Sequence, residues 1–595
     1  MWKKPILPQY DTNSEDRKED IEDGQHHYYY KHDYKSLEGV AMVKGVPFSE
    51  FPDLVWSGKF IGVALKLAKN IAKNSFDEDN EELKDESSLL GEFSALKDSF
   101  DDFDEDNTEA LDILLNKFAT KKTVKRARSL EDYDEFFESL DIPPISKNFQ
   151  DDETFVRMRV AGQNPIMLNL VKDIKKEFPL TNEIFQSIKG FEEDTLENTQ
   201  KEERFYIADY KALENVENGK NDAGDKYSYA PKAIFALDKN EGDVTKALKV
   251  IAIICEQEVT EDTPIFTPND KYAWNIAKTI VQIADFNYHE LVTHLGATHL
   301  VIEPFVVSTH RQLADRHPVK MLLLPHFEGT IFINWGAQAS LVNDGGPFDK
   351  LFSGTMKTNR EVVANRLGQS FNKSMLLNDL KERGVEDNKL YYPYRDDAKK
   401  LWNATFEWVG NYLSTYYSND KDVENDVELQ AWVSELMDDG RVKGFGEDDN
   451  GKMSTISYLQ EVITMIIFTA SSQHSAVNFS QKDFSGYTPN MPSAGYTPAP
   501  KDKNKTEQDW FDLLPPTNMS ESQINLAQLL SGVSYTTLGD YGWFYFWDMR
   551  LVLPMIQFKL KLKKIEKEII KRNNTSDIIK YDYLLPSKIP QSINI

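Results

Sequence analysis

The fold is decided by one stretch of sequence, Trp274-Asn-Ile-Ala-Lys-Thr-Ile-Val-Gln-Ile-Ala-Asp285, which leads into His289-Glu-Leu-Val-Thr-His294-Leu-Gly-Ala-Thr-His299. Apolar residues recur at helical spacing over Asp270–Ser308, and this periodicity predicts one long helix that carries three histidines. His294 and His299 are five residues apart, so their side chains diverge by about 140° in an ideal α-helix. Both rings can reach one metal ion only if the helix widens locally to a π-type turn.

A second cluster of ligand-type side chains lies downstream, in His474-Ser-Ala-Val-Asn478. The i, i+4 spacing places His474 and Asn478 about 40° apart on one helix face, so an imidazole and an amide oxygen can point at the same atom. The same spacing also fits a buried polar network around His474, with Asn478 as an ordinary core amide. The sequence ends in the uncharged Ile-Pro-Gln-Ser-Ile-Asn-Ile595, whose terminal carboxylate can supply an anionic ligand.

The donors in these clusters are imidazole and oxygen, without a thiolate. Cys255 is the single cysteine, which excludes an intrachain disulfide framework and any cysteine-built zinc or iron–sulfur site. Nitrogen and oxygen donors of this kind are typical of redox-active iron, and manganese can occupy similar sites. The zinc-protease motif H-E-x-x-H is not met, because the histidine after His289-Glu290 follows at i+5. We therefore expect an oxidative enzyme.

The chain is strongly acidic, since 69 Lys and Arg against 97 Asp and Glu give a net charge of −28. Such a surface repels phosphate backbones, so nucleic acid is not expected as a partner. The start, Met-Trp-Lys-Lys-Pro, is not followed by the apolar core of a signal peptide. No uncharged run reaches the roughly 18–20 apolar residues that span a bilayer. A cytoplasmic location is expected.

The N-terminal region differs in composition from the rest of the chain. Residues 1–38 are polar and charged and predict a flexible tail or an extended arm, whereas Leu54–Lys73 reads as an amphipathic helix. Four lysines share one narrow arc of that helix: Lys59, Lys66, Lys69 and Lys73. The arc indicates either peripheral membrane contact or a helix packed on its own domain with solvated lysines. Asp77–Asn107 holds 14 acidic residues, which indicates a solvated linker or the exposed face of short helices.

From about Ser129 onward the chain predicts a mainly α fold. Long helical periodicities are the dominant pattern, in Asp270–Ser308, Arg395–Tyr417, Met453–Ala476 and Leu551–Arg572. Strand-like stretches are short and few, such as Lys320–Leu324 and Thr330–Asn334.

A series of ordered motifs resembles those of lipoxygenases. They begin with the Trp274–His299 stretch and continue as Glu303-Pro-Phe305, Thr309-His-Arg-Gln-Leu313, His317-Pro318, Leu322-Leu-Leu-Pro-His326, Ile333-Asn334, Tyr392-Pro-Tyr394, Asp426-Val-Glu-Leu429, His474-Ser-Ala-Val-Asn-Phe-Ser-Gln481 and Ile595. Upstream matches are Ala161-Gly-Gln-Asn-Pro165, Asn182-Glu-Ile-Phe185 and Asp209-Tyr210. The resemblance implies a large helical catalytic domain with a few short strands over residues 127–595. Residues 1–126 form an acidic, helical extension, in a bacterial-type arrangement without the family's N-terminal β-sandwich.

The resemblance also implies the site. One non-haem iron is expected to be held by His294, His299, His474, Asn478 and the carboxylate of Ile595. His289 matches a position without metal ligation. Gln481 matches a glutamine that hydrogen-bonds toward the substrate side of the iron. Glu290 stands where plant relatives carry the partner glutamine, so its carboxylate is expected to tune the amide ligand.

Two further residues match positions in the substrate and oxygen pocket. Ala337 matches the position where alanine goes with S products, and Leu341 matches a bulky residue that clamps the reacting pentadiene. Leu341 fits an ordinary core leucine equally well.

The implied reaction is dioxygenation of a polyunsaturated fatty acid by O₂. A ferric hydroxide takes a hydrogen atom from the carbon between two cis double bonds, and the resulting radical captures O₂ to give a hydroperoxide. A fatty-acid hydroperoxide isomerase and a non-catalytic lipid-binding protein are the alternatives. A monomer is expected, with peripheral membrane contact through Leu54–Lys73.

Overall fold

One continuous helix of 45 residues, Pro268–Gln312, runs through the computed structural model of the chain. It starts at a capping box in which the Asp270 carboxylate accepts the backbone N–H of Thr267 at 2.8 Å. It then passes from the α-helix Lys271–Tyr288 through a π-helix, His289–Leu300, into the α-helix Val301–Gln312. The helix predicted from the periodicity over Asp270–Ser308 is therefore confirmed.

The structure describes residues 4–74, 125–260, 263–534, 536–542, 545–575 and 580–595. Within these ranges, the Pro268–Gln312 helix is the one segment long and apolar enough to cross a membrane. Of its apolar window, 89% is buried inside the protein, which is the pattern of a core helix.

Helices make up most of the described chain, as predicted, and each of the long periodic stretches contains a helix. The other helices of ten or more residues are Ser14–His27, Leu54–Asn74, Asp152–Ala161, Met356–Leu367, Pro393–Leu413, Val427–Met437, Ile456–Phe468, Thr517–Leu530 and Val552–Asn574. The shorter ones are Glu131–Asp134, Ile174–Glu177, Asn182–Gln186, Leu196–Lys201, Pro318–Leu323, Thr330–Gly336, Pro347–Leu351, Phe371–Ser374, Leu376–Glu382, Asp420–Glu424, His474–Asn478, Gln481–Phe484 and Glu507–Leu513. Two further π segments are Ala337–Leu341 and Thr469–Gln473.

The largest sheet has four antiparallel strands, in the order Leu168–Leu170, Phe205–Asp209, Lys232–Leu237 and Leu248–Ile254. It separates two apolar cores. Phe205 and Ile207 point into the smaller core, whereas Tyr206 and Ala208 point into the main one, as the period of two in a strand requires. Two hairpin-like pairs complete the strands: Tyr30–Lys31 with Met42–Val43, and Lys220–Asn221 with Gly224–Asp225.

The two strands predicted at Lys320–Leu324 and Thr330–Asn334 are wrong, because the structure has the helices Pro318–Leu323 and Thr330–Gly336 there. A short apolar run has no periodicity that separates a strand from a buried helix. At the first of these helices the His317 side chain caps the Val319 N–H, and Pro318 occupies the first helical position.

The N-terminal residues are docked on the body of the protein, so the predicted flexible tail is also wrong. Ser14–His27 is a helix that packs against Val301–Gln312. A Cβ on its Gly24 would lie 1.9 Å from the His310 carbonyl oxygen, so only glycine permits this approach. Arg17 donates to both carboxylate oxygens of Glu428, at 2.6 and 2.7 Å, and both side chains are buried.

The amphipathic helix predicted at Leu54–Lys73 is present as Leu54–Asn74. Its apolar face packs inward, and the Trp56 indole donates to the backbone oxygen of Asn594 at 2.5 Å. Lys59, Lys66 and Lys69 are exposed, and the side chain of Lys73 lies outside the described part. The acidic segment Asp77–Asn107 lies outside the described residues.

The long helix is tied to its neighbours by a buried ion pair. Arg159 lies 2.8 Å from Asp285, and the two side chains are 0% and 1% exposed. Tyr210 donates to the other Asp285 oxygen at 2.8 Å. The pair therefore joins Asp152–Ala161 to Lys271–Tyr288 in surroundings where an unpaired charge is costly.

We expect Arg159→Met to destabilise the protein by about 3–5 kcal/mol, because it leaves Asp285 as a buried charge without its cation. The shift of the thermal midpoint measures the effect. Lys18→Met is the control, since Lys18 and its partner Glu22 are 76% and 62% exposed and such pairs add little stability. Equal midpoints for the two variants would contradict the prediction.

Candidate metal centre

The π-helix His289–Leu300 brings two histidine rings together. Its hydrogen bonds join residues five apart, so His294 and His299 lie one turn above each other. Their Nε2 atoms are 3.1 Å apart. The local widening that the five-residue spacing predicted is confirmed.

The third imidazole, that of His474, belongs to a separate helix. The segment Thr469–Gln473 is also π-helical and leads directly into the short α-helix His474–Asn478. His474 Nε2 lies 3.2 Å from His299 Nε2. One ring nitrogen from each of His294, His299 and His474 lies within 4.8 Å of the others, and all three residues are buried.

Hydrogen bonds on the far side of the rings fix which nitrogen carries the proton. His294 Nδ1 lies 3.3 Å from a Glu290 carboxylate oxygen, and His299 Nδ1 lies 2.9 Å from Asn334 Oδ1. Both partners only accept, so each Nδ1 is the donor and each Nε2 of a neutral ring bears a lone pair. Two facing lone pairs cannot hydrogen-bond to each other. A cation between them satisfies both, so the donor set fits a metal ion.

Burial keeps these rings neutral. Desolvation lowers the pKa of His299 to about 3, with a further contribution from the nearby His294. Desolvation also lowers the pKa of His294 and, to a greater degree, that of His474. A neutral imidazole is the form that binds a metal.

The oxygen donors predicted from the sequence lie at the same place. Asn478 and Ile595 line one cavity together with His294 and His299. The Ile595 backbone also acts on His474, where it opposes part of the lowering of the His474 pKa by burial. Asn478 accepts from Gln481 Nε2 at 3.0 Å on its amide oxygen, so Gln481 contacts the predicted amide ligand itself.

Glu290 contacts His289 and His294. Among the described residues, it makes no hydrogen bond to Asn478. Its carboxylate oxygens lie 3.1 Å from His289 Nδ1 and 3.3 Å from His294 Nδ1. Burial alone would raise the pKa of Glu290, but the two imidazoles lower it to about 2. Its described contacts are therefore with imidazoles, and an influence of this carboxylate on the amide ligand stays a prediction. His289 packs behind the cluster, with Nε2 at 3.0 Å from the Val477 carbonyl oxygen.

A hydrogen-bond relay that the sequence did not reveal connects the N-terminal segment to the centre. The backbone N–H of Val43 donates to Glu303 Oε1 at 2.8 Å, and Asn334 Nδ2 donates to Glu303 Oε2 at 2.8 Å. Asn334 then accepts from His299 through its Oδ1. All four residues are buried. No pattern in the sequence pairs Val43 with Glu303, since 260 residues separate them.

The cavity beside the centre is almost entirely apolar. Its lining is Trp56, Phe60, Glu290, His294, Leu295, His299, Phe332, Ile333, Gly336, Ala337, Leu341, Val342, Phe348, Asn478, Leu529, Leu530 and Ile595. Ala337 and Leu341 therefore lie where the sequence placed them, on the π segment Ala337–Leu341. No lysine or arginine is among the described residues of this lining. The cavity offers dry, apolar surroundings for a hydrocarbon group next to a bound metal.

Comparison with known proteins places these features in a family. The lipoxygenase family model matches residues 46–581. The chain is 35% identical to the linoleate 9/13-lipoxygenase of Pseudomonas aeruginosa, over 99% of this chain and 93% of that protein. It is 31% identical to the human hydroperoxide isomerase ALOXE3, over 76% of this chain and 63% of that protein. A solved lipoxygenase structure, determined in complex with arachidonate, has a TM-score of 0.83 and 27% identity, over 100% of this chain and 84% of that one.

We expect Glu303→Gln to weaken metal retention about 10–100-fold, because an amide cannot accept from both Val43 and Asn334 and the His299 ring loses its support. Metal content after dialysis against a chelator measures this. Glu435→Gln is the control, because Glu435 is also buried but pairs with Arg311, away from the centre. Equal metal content in both variants would show that the relay does not position His299.

Proposed function

The chain belongs to the lipoxygenase family, and we propose that it holds one non-haem iron through His294, His299, His474, Asn478 and Ile595. It is a dioxygenase that inserts O₂ into the cis,cis-1,4-pentadiene of a polyunsaturated fatty acid to give a hydroperoxide. The observation that carries the iron assignment is the set of three buried imidazoles whose Nε2 atoms converge at 3.1 and 3.2 Å.

The protein itself orients the histidine rings and keeps water out of the cavity. The chemistry that bound iron supplies is one-electron oxidation and reduction. Glu290 and Asn334 hold the His294 and His299 rings through Nδ1, so that both Nε2 atoms face the metal position. The apolar lining excludes water, which protects a carbon radical from side reactions.

The positions of Ala337 and Leu341 support a role for both residues in orienting the reacting carbons of the fatty acid, because both line the cavity beside His294 and His299. By the family rule for alanine at this position, we infer an S product. The cavity is narrow, at about 100 Å³, so a fatty-acid chain enters only when lining side chains such as Trp56 and Phe60 move.

Iron is proposed over manganese because lipoxygenases usually hold non-haem iron, although both metals bind nitrogen and oxygen donors and both can change oxidation state by one electron. We further propose a monomer in the cytoplasm that reaches lipid surfaces by peripheral contact. An N-terminal extension over residues 1–126 followed by a catalytic domain over 127–595 also stays a prediction.

Oxygen uptake on adding linoleic acid should rise in proportion to the iron content of the purified protein. His474→Ala should lose both iron and uptake, because it removes one of three nitrogen donors from the centre. His310→Ala is the control, since His310 stacks on Tyr28 away from the centre. Chiral analysis of the product from the same reaction tests the S assignment.

Full iron in His474→Ala would contradict the ligand set. An iron-loaded protein that takes up no oxygen, but consumes added fatty-acid hydroperoxide, would favour the hydroperoxide isomerase alternative. Binding of fatty acid without either activity would favour a lipid-binding role.

The lysines of Leu54–Asn74 are expected to contribute to membrane contact by charge alone, because the apolar face of this helix is buried. Lys59→Glu, Lys66→Glu and Lys69→Glu together should reduce pelleting with anionic vesicles. Lys172→Glu, Lys175→Glu and Lys176→Glu together are the charge-matched control from another exposed segment. Equal pelleting of the two triple variants would rule out this contribution.

A further inference from the structure

The C-terminal helix Val552–Asn574 has two apolar faces. One face is buried and contains Met555, Phe558, Leu562, Ile565 and Ile569. The opposite face carries large apolar side chains that remain in solvent. Leu553 is 63% exposed, Ile556 37% and Leu560 59%, and Met549 in the turn just before the helix is 79% exposed.

The exposed apolar residues form one stripe. On a wheel of 100° per residue, Leu553, Ile556 and Leu560 fall within an arc of about 60°. From Met549 to Leu560 the stripe extends about 18 Å along the axis. A stripe of this kind on a surface helix marks a contact site, because isolated exposed apolar residues do not align.

The same face changes character halfway along the helix. Beyond Leu560 its exposed residues are mainly lysines: Lys563, Lys564, Lys567 and Lys571. On a wheel with Val552 at 0°, these lysines lie between about 20° and 120°. The apolar arc lies between about 40° and 100° on the same wheel, so the lysines continue the same side of the helix. The helix therefore presents an apolar half followed by a cationic half on one side.

The charge of this helix opposes that of the chain. It has seven lysines and arginines against two glutamates, in a protein with a net charge of −28. Lys559 and Lys561 pair with Asp540 and Glu407. None of the four lysines beyond Leu560 has a carboxylate within ion-pair distance among the residues the structure describes, so their charge is available to an external anion.

A second copy of the chain fits this face poorly. In a two-fold dimer with antiparallel helices, the lysine half of one helix would lie on the leucine half of the other. With parallel helices, lysines would face lysines. The antiparallel arrangement buries lysine charges against apolar side chains, and the parallel one places like charges opposite each other. A phospholipid surface, by contrast, offers acyl chains to the apolar half and phosphates to the lysines.

We propose that the face formed by Met549, Leu553, Ile556, Leu560 and the four lysines is a docking site for a membrane surface that contains anionic phospholipid. The apolar half enters the boundary between headgroups and acyl chains, and the lysines bind lipid phosphates. The site is separate from the metal centre and does not depend on the chemistry there. It also differs from Leu54–Asn74, whose apolar residues are already buried.

The test uses the full chain and vesicles of phosphatidylcholine, alone or with phosphatidylglycerol. An apolar variant carries Leu553→Gln, Ile556→Gln and Leu560→Gln, and a cationic variant carries Lys563→Gln, Lys564→Gln, Lys567→Gln and Lys571→Gln. Each should weaken binding to the mixed vesicles by about tenfold or more. Lys172→Gln, Lys175→Gln and Lys176→Gln together form the control and should bind like the parent protein.

A second measurement keeps the test valid if a variant folds poorly. Cys255 is buried, so a polarity-sensitive dye can be attached selectively to Leu560→Cys. Its emission should shift to the blue on adding mixed vesicles, whereas a dye on Val244→Cys, at a loop position 69% exposed, should not respond.

No dye response at position 560, or unchanged binding in both multiple variants, would overturn the proposal. A parent protein that sediments as a dimer, and variants that sediment as monomers, would assign the face to self-association instead.

Discussion

The structure depends on three buried imidazoles, of which His294 and His299 turn the lone pairs of their Nε2 atoms toward each other inside the protein. Such an arrangement is unfavourable by itself, because no hydrogen bond can form between two acceptors. It becomes favourable with a cation among the rings. Hydrogen bonds at Nδ1 hold two of the rings, His294 through Glu290 and His299 through Asn334. His474 is placed by the short helix that directly follows the π segment Thr469–Gln473. The protein's own hydrogen bonds therefore orient the rings toward the metal position.

The backbone geometry follows from the same constraint. An α-helix separates side chains five residues apart, and the π segment His289–Leu300 is what brings His294 and His299 together. Two further π segments lie at Ala337–Leu341 and Thr469–Gln473. Each contributes to the centre or to the cavity beside it. A π segment is less favourable than an α-helix, and the burial of the Pro268–Gln312 helix stabilises it in place. The N-terminal segment takes part as well, through the Val43 bond to Glu303.

The distribution of charge gives a protein of this acidity a way to approach an anionic surface. Uniform negative charge would repel it, but two helices each carry a group of exposed lysines. The lysines of Val552–Asn574 share a face with exposed leucines, whereas those of Leu54–Asn74 lie above a buried apolar face. In the proposed membrane docking, the first helix would supply both apolar insertion and charge attraction, and the second would supply charge attraction alone. The dry, cation-free lining of the cavity suits the hydrocarbon part of a lipid.

The sequence alone determined the helical class, the positions of the long helices and the need for a π turn between His294 and His299. These are local properties, fixed by periodicity and by the angle between residues on one helix. Short apolar runs were read wrongly, as at Thr330–Gly336, because five residues do not distinguish strand from helix. The meeting of His299 with His474, and of Val43 with Glu303, was decided only by the tertiary structure. Those partners are 175 and 260 residues apart, and burial in a shared core, which no local pattern encodes, brings them into contact.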